Sequence, residues 1–180
     1  MSRKIVAFAG SNSSKSINKK LVRFVLTYFK EYEQNLLDLN DYEMDIFSID
    51  REENGYPDQV YAFRNQIEGA DIIICSLAEN NGSYSAAFKN VFDWCSRIDL
   101  NIFRNKPMFL MSSSPGRRGG SDVMSAAKSR FPGCGADIME TFSLPSFNRT
   151  FEEDKGIIEP DLLKELEQKI VDFKEKIGQR

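Results

Sequence analysis

The sequence predicts a three-layer α/β fold, a doubly wound sheet of five parallel strands in the order 2-1-3-4-5 with helices on both faces. Three observations predict it. Apolar runs of strand length alternate with longer segments of helical period, the pattern of a parallel α/β sheet. The runs Lys4–Ala9 (KIVAFA) and Asp71–Leu77 (DIIICSL) are apolar at consecutive positions, as strands covered on both faces are. The 180 residues, 41% hydrophobic and 28% charged, suit one globular domain over residues 1–180, with no repeat or linker to divide it.

Each element has its own local reason. Lys4–Ala9 is the first strand. The stripe Leu21, Val22, Val25, Leu26 and Phe29 makes Asn18–Phe29 a helix. Asn35–Leu39 (NLLDL) is a second strand near an edge, Asp45–Tyr56 a loop, and Asp58–Glu68 a helix. Asp71–Leu77 is the third strand. Ser85–Arg97 follows as a helix, with Phe88, Val91, Phe92 and Cys95 at helical spacing. Pro107–Met111 is a strand, Gly120–Phe131 a helix and Ala136–Leu144 the last strand, with an irregular stretch to Ile158. Pro160 suits the first turn of a final helix, Asp161 complements its dipole, and Leu162, Leu166, Ile170, Phe173 and Ile177 form its core stripe.

Composition excludes several chemistries. The chain has no histidine, which removes Ser–His–Asp hydrolysis and histidine-ligated metal sites. A cofactor can still carry the difficult chemistry. The net charge of −3 and a pI near 5.2 argue against a nucleic-acid-binding face. No apolar stretch has the length of a membrane span. Cys75, Cys95 and Cys134 lack C-x-x-C spacing, which fits a reducing cytoplasm and offers no metal site. Met1 to Lys4 runs directly into a strand pattern, leaving no room for a signal peptide.

In a doubly wound sheet, ligands sit beyond the carboxyl ends of the strands where the order reverses. That directs attention to three loops. Gly10–Asn18 (GSNSSKSIN) joins a strand to a helix and is nearly all glycine, hydroxyl and amide. It can aim N–H groups and hydroxyls at an anion; alternatively Ser16 or Asn18 merely caps the helix. It lacks the spacing of a P-loop or a dinucleotide-binding turn. Ala78–Ser83 (AENNGS) carries Gly82 for a positive-φ turn and polar groups for a planar ligand, although Glu79 can equally be a solvated charge. In Ser112–Gly120 (SSSPGRRGG) three glycines allow close backbone approach, and Arg117 and Arg118 are candidate surface charges.

These loops resemble the NADPH-dependent FMN reductase family, which includes chromate, azo and quinone reductases. The family pattern G-S-x-R-x-x-S-x-N is met by Gly10–Asn18 except at the arginine, here Ser13. P-E-Y-N-G-S is matched by Ala78–Ser83, with Ala78 and Asn80 replacing proline and tyrosine. L-K-N-x-x-D-W corresponds to Phe88–Trp94, and S-x-S-P-G-x-x-G-G is met in full by Ser112–Gly120.

The resemblance implies a flavodoxin-like fold and an FMN site. Ser11, Ser16 and Asn18, with Ser13 in the arginine's place and Lys15 nearby, would bind the FMN phosphate. Glu79, Asn80 and Asn81, with Ser114, Gly116 and Gly119, would border the isoalloxazine ring. It implies hydride transfer from NADPH or NADH to FMN, and onward transfer to a quinone, azo compound, metal oxyanion or free flavin, with no catalytic side chain. Lys89, Asp93 and Trp94 serve packing or subunit contact, and a homodimer or homotetramer is expected. The rival readings are a flavodoxin-type electron carrier and a flavin-free interaction module.

Overall fold

The computed structural model describes residues 3–179; Met1 and Ser2, where the reading of a missing signal peptide falls, lie outside them. The chain runs through β1 (Lys4–Gly10), α1 (Ile17–Leu26), β2 (Glu33–Leu37), α2 (Ile49–Glu52), α3 (Asp58–Glu68) and β3 (Ile72–Asn80). It continues with β4 (Ser83–Tyr84), α4 (Ala86–Ile98), β5 (Lys106–Ser113), α5 (Ser121–Arg130) and β6 (Ala136–Leu144). It ends with α6 (Phe147–Thr150), the short strands β7 (Phe151–Glu152) and β8 (Gly156–Ile157), and α7 (Pro160–Gly178).

The main sheet has the order β2-β1-β3-β5-β6, with all four pairings parallel. Counted along the chain, these five strands follow the expected order 2-1-3-4-5. Alternation along β1 divides the core into two layers. Val6 and Phe8 pack with Val60, Phe63, Phe88 and Val123 from α3, α4 and α5. Ile5 and Ala7 face the other way, against Leu21 and Val25 of α1 and Leu166, Ile170 and Phe173 of α7. The two crossover directions leave α1 and α4 on opposite faces beyond β1 and β3, which opens a crevice there.

Several local expectations are corrected. β2 begins and ends two residues before the expected Asn35–Leu39, and Leu39 opens a 3-10 turn capped by Asp38. The loop Asp45–Tyr56 contains the four-residue helix α2, capped by Ser48. α1 stops at Leu26, with Phe29 buried just beyond it. β3 runs on to Asn80, so Ala78–Ser83 is not a loop but a strand end and a hairpin. Its turn, Asn81-Gly82, has φ of 51° and 74°, the left-handed pair of a two-residue hairpin. The stretch after β6 holds α6 and the β7–β8 hairpin.

Candidate functional site

The first loop is shaped by its own hydroxyls. Ser11 Oγ accepts from the Ser13 N–H and Ser13 Oγ from the Lys15 N–H, each at 3.2 Å. Ser16 Oγ accepts from the Lys19 N–H at 3.2 Å and caps α1, leaving its own proton for a second partner. The N–H groups of Ile17 and Asn18 lie in the first turn, where no helical acceptor exists, at the positive end of the helix dipole. Lys15 stands beside them and has no carboxylate partner among the described residues. Lys19, by contrast, is paired with Asp38.

Asn18 points inward. It is 2% exposed; its Oδ1 accepts from Ser76 Oγ at 2.7 Å and its Nδ2 donates to the Ser113 carbonyl at 3.1 Å. The amide therefore joins α1 to β3 and β5, and what it offers an anion is its backbone N–H.

Glu79 is half-buried, not a solvated charge. Its Oε2 accepts from the N–H groups of Asp122 and Val123, at 2.8 and 3.0 Å. The cap residue of α5 is Gly120, which has no side chain to do this, so a carboxylate from β3 caps the helix across space. Second and third loops are thereby tied together.

The third loop is fixed from beneath. Ser112 Oγ donates to the Gly119 carbonyl at 2.8 Å, and Ser113 Oγ to the Leu144 carbonyl at 2.9 Å. Gly119 has φ of 60°, and a Cβ there would lie 3.1 Å from Pro145 N and 3.2 Å from Leu144 C. Its close approach is to its own chain. At Gly116 a Cβ would meet only Ser114 Oγ, at 3.7 Å, and the backbone is exposed. Arg118 is paired with Asp122, whereas Arg117 has no ion-pair partner among the described residues.

The three loops converge on one cleft of about 240 Å³. Ser11, Ser13, Lys15, Ser16, Asn18, Glu79, Asn80 and Ser114 are among the residues that line it. Asn81, Gly116 and Gly119 are outside the lining: Asn81 is at the hairpin tip, Gly116 on the exposed loop and Gly119 buried under it. Sequence reasoning missed Ser76 and Ser113, whose polar character inside buried strands was the available signal. It also missed Ser85, which caps α4 and donates to the Gly10 carbonyl at 2.8 Å.

Burial pushes the Cys75 thiol well up and that of Cys95 up to about 12, so neither is a thiolate at neutral pH. Among the described residues no group of three His, Cys, Asp or Glu side chains is placed to hold a metal, and no helix is long and apolar enough to cross a membrane. In the α4 motif, Lys89 and Asp93 form an exposed i,i+4 ion pair, and Trp94 is buried.

The family model described as NADPH-dependent FMN reductase matches residues 3–149. An NADPH:quinone oxidoreductase of Arabidopsis thaliana is 34% identical over 122 residues, 65% of this chain and 61% of its own. An NAD(P)H-dependent FMN reductase of Pseudomonas aeruginosa is 35% identical over 78 residues, 43% of this chain and 40% of its own. These matches thus cover about half the length of the curated relatives. In fold, the chain superposes on a flavoenzyme NAD(P)H:(acceptor) oxidoreductase of Paracoccus denitrificans with a TM-score of 0.78, at 22% identity, over 98% of both chains. On the strength of the match over residues 3–149, the chain belongs to the NADPH-dependent FMN reductase family.

Proposed function

We propose that this protein is an FMN-dependent NAD(P)H oxidoreductase that passes electrons to a small acceptor: a quinone, an azo compound, a metal oxyanion or free flavin. The observation that carries the reading is the convergence of three loops on one cleft at the open end of α1. The residues fit FMN. One end of the cleft offers the Ser11, Ser13 and Ser16 hydroxyls, the Ile17 and Asn18 N–H groups and the Lys15 ammonium to a phosphate. The other end offers Asn80 and Ser114 to a planar ring, with the exposed Gly116 backbone beside Ser114, whose Oγ donates to the Gly116 carbonyl at 3.4 Å. Glu79, Asn81 and Gly119 shape the turns that present these groups.

FMN, when bound, supplies the hydride acceptor and two-electron store, so no side chain need act as general acid. With a quinone the overall reaction is NAD(P)H + H⁺ + quinone → NAD(P)⁺ + hydroquinone. The protein's part is to bind, orient and hold charge. Arg117, free of the pairing that occupies Arg118, is the group available to a second nucleotide phosphate. The reading extends to a single FMN-binding domain over residues 1–180, in a reducing cytoplasm, assembled as a homodimer or homotetramer. The three buried free thiols support the compartment.

Mixing with FMN, followed by NADPH or NADH under argon, tests the reading. The protein should turn yellow and bleach on reduction, then oxidise NAD(P)H steadily with a quinone in ping-pong fashion. Flavin that binds but stays oxidised would favour the electron-carrier reading instead.

A further inference from the structure

Two helices begin beside the cleft, and their first turns differ. At the start of α1, Ile17 and Asn18 line the cleft, and their N–H groups have no helical acceptor. At the start of α5 the N–H groups are all taken within the protein. That of Ser121 donates to the Arg118 carbonyl at 3.0 Å, and that of Met124 to the Gly120 carbonyl at 3.0 Å. Those of Asp122 and Val123 between them go to Glu79 Oε2, at 2.8 and 3.0 Å. Glu79 lines the cleft as well, so one carboxylate borders the ligand space and closes the helix behind it. Lys15 and Glu79 are the charged side chains in the lining, the first from the phosphate loop and the second from the end of β3. Nearby, Arg118 and Asp122 pair with each other, and Arg117 is exposed to water.

We propose that Glu79 is a positioning residue that sets the reducing strength of the oxidoreductase: by closing the first turn of α5 with a carboxylate, it keeps the ring end of the cleft free of net positive charge and holds bound FMN at a low midpoint potential. The inference rests on the FMN-dependent reading and adds how the chain tunes it. Hydride transfer, FMN + NAD(P)H → FMNH⁻ + NAD(P)⁺, leaves the ring with two more electrons, one more proton and one more negative charge. An open helix N-terminus beside the ring would stabilise that charge, and one already neutralised by a carboxylate does not. By linkage, a group that disfavours the reduced form against the oxidised one lowers the potential. A cap at Gly120 itself is excluded by space, since a Cβ there would lie 3.0 Å from that of Ser112. Capping alone does not demand a charge, however, because a glutamine oxygen at position 79 would serve the same two N–H groups.

The test measures midpoint potentials of FMN-loaded protein against reference dyes under argon, with no nicotinamide and no acceptor. Dissociation constants for oxidised FMN and apoprotein melting temperatures are measured beside them. Glu79→Gln keeps an acceptor for α5 and removes the charge. It should melt like the parent and favour reduced over oxidised FMN about tenfold more strongly, a rise of about 30 mV for a two-electron couple. Glu79→Ala removes cap and charge together, so it should melt earlier and raise the potential at least as far. An unmoved potential in both variants overturns the proposal and leaves Glu79 as a helix cap. A rise confined to Glu79→Gln also overturns it, because the new amide N–H would then be the cause. A parent protein that takes up no FMN removes the broader reading and this one together; an FMN-loaded parent whose potential both variants share removes only this one.

Discussion

Asn18 and Ser76 are joined by a 2.7 Å hydrogen bond, from the serine hydroxyl to the amide oxygen, in the buried space between α1 and β3. The same amide reaches the Ser113 carbonyl at the end of β5. One side chain therefore bolts the first turn of α1 to the two strands that carry the other loops. A buried network of this kind is stable only when every member is satisfied.

Asn18→Ala should accordingly act as a structural change before it acts as a binding change. Leaving the Ser76 hydroxyl and the Ser113 carbonyl buried without partners costs ~1–3 kcal/mol for each stranded group. The melting temperature of the apoprotein should fall, and affinity for FMN and riboflavin should fall together, because the loops lose their relative positions. An Asn18→Ala protein that melts like the parent and loses only FMN would return the side chain to the phosphate.

Ser16→Ala separates two roles of one hydroxyl. The cap on Lys19 is present without any ligand and should contribute ~1 kcal/mol to apoprotein stability. If the hydroxyl also donates to a phosphate, the substitution should weaken FMN by roughly 10- to 150-fold, the worth of a hydrogen bond to a charged group. Riboflavin, which lacks the phosphate, should bind almost as before. Dissociation constants for both flavins, measured beside the melting temperature, decide it. Equal FMN affinity in parent and variant would leave Ser16 as a cap alone.

Glu140 on β6 predicts a pH effect away from the cleft. Burial raises its pKa, but hydrogen bonds and attraction from Lys176 and Lys169 outweigh burial and hold it below the ordinary 4.5. A depressed folded-state pKa adds stability that is fully present above the unfolded value. That stability is lost as pH falls through the folded value. Glu140→Gln should therefore melt earlier than the parent at neutral pH, by ~1.5–3 kcal/mol. The gap should close as pH drops below 4.5 and the parent protonates. A gap that persists unchanged at low pH would mean that the two lysines contribute little.

Much of this architecture was legible because it is local. The parallel sheet follows from consecutive apolar runs in β1 and β3, and the N-terminus of α1 from a serine placed three residues before Lys19. The hairpin was equally legible from Asn81-Gly82, the strongest short hairpin signal, but the adjacent polar residues suggested a loop. The rest depends on partners distant in the chain. Glu79 meets the start of α5 43 and 44 residues later, and Trp94 meets Asp45 across 49. Asn18 is expected at the phosphate from the family motif and its place in the loop; the inward direction of its side chain is set by Ser76, 58 residues on. No local pattern encodes those meetings.

The glycines of the third loop make the sharpest contrast between shape and binding. Gly119 adopts a φ of 60°, unfavourable for any residue with a Cβ, and its side-chain direction runs into the backbone of Leu144 and Pro145. Gly119→Ala must therefore strain the loop whether or not a ligand is present, costing ~1–3 kcal/mol of apoprotein stability. Gly116 has no such constraint, since the space where its Cβ would lie is open to 3.7 Å. Gly116→Ala should melt like the parent, yet if the backbone there approaches the flavin ring, an added methyl group intrudes on both FMN and riboflavin alike. The expected contrast lies between assays rather than in severity: Gly119→Ala moves the apoprotein melting temperature, and Gly116→Ala moves flavin affinity alone. Full flavin affinity in Gly116→Ala would place the ring against Ser114 and Asn80 without the help of that backbone.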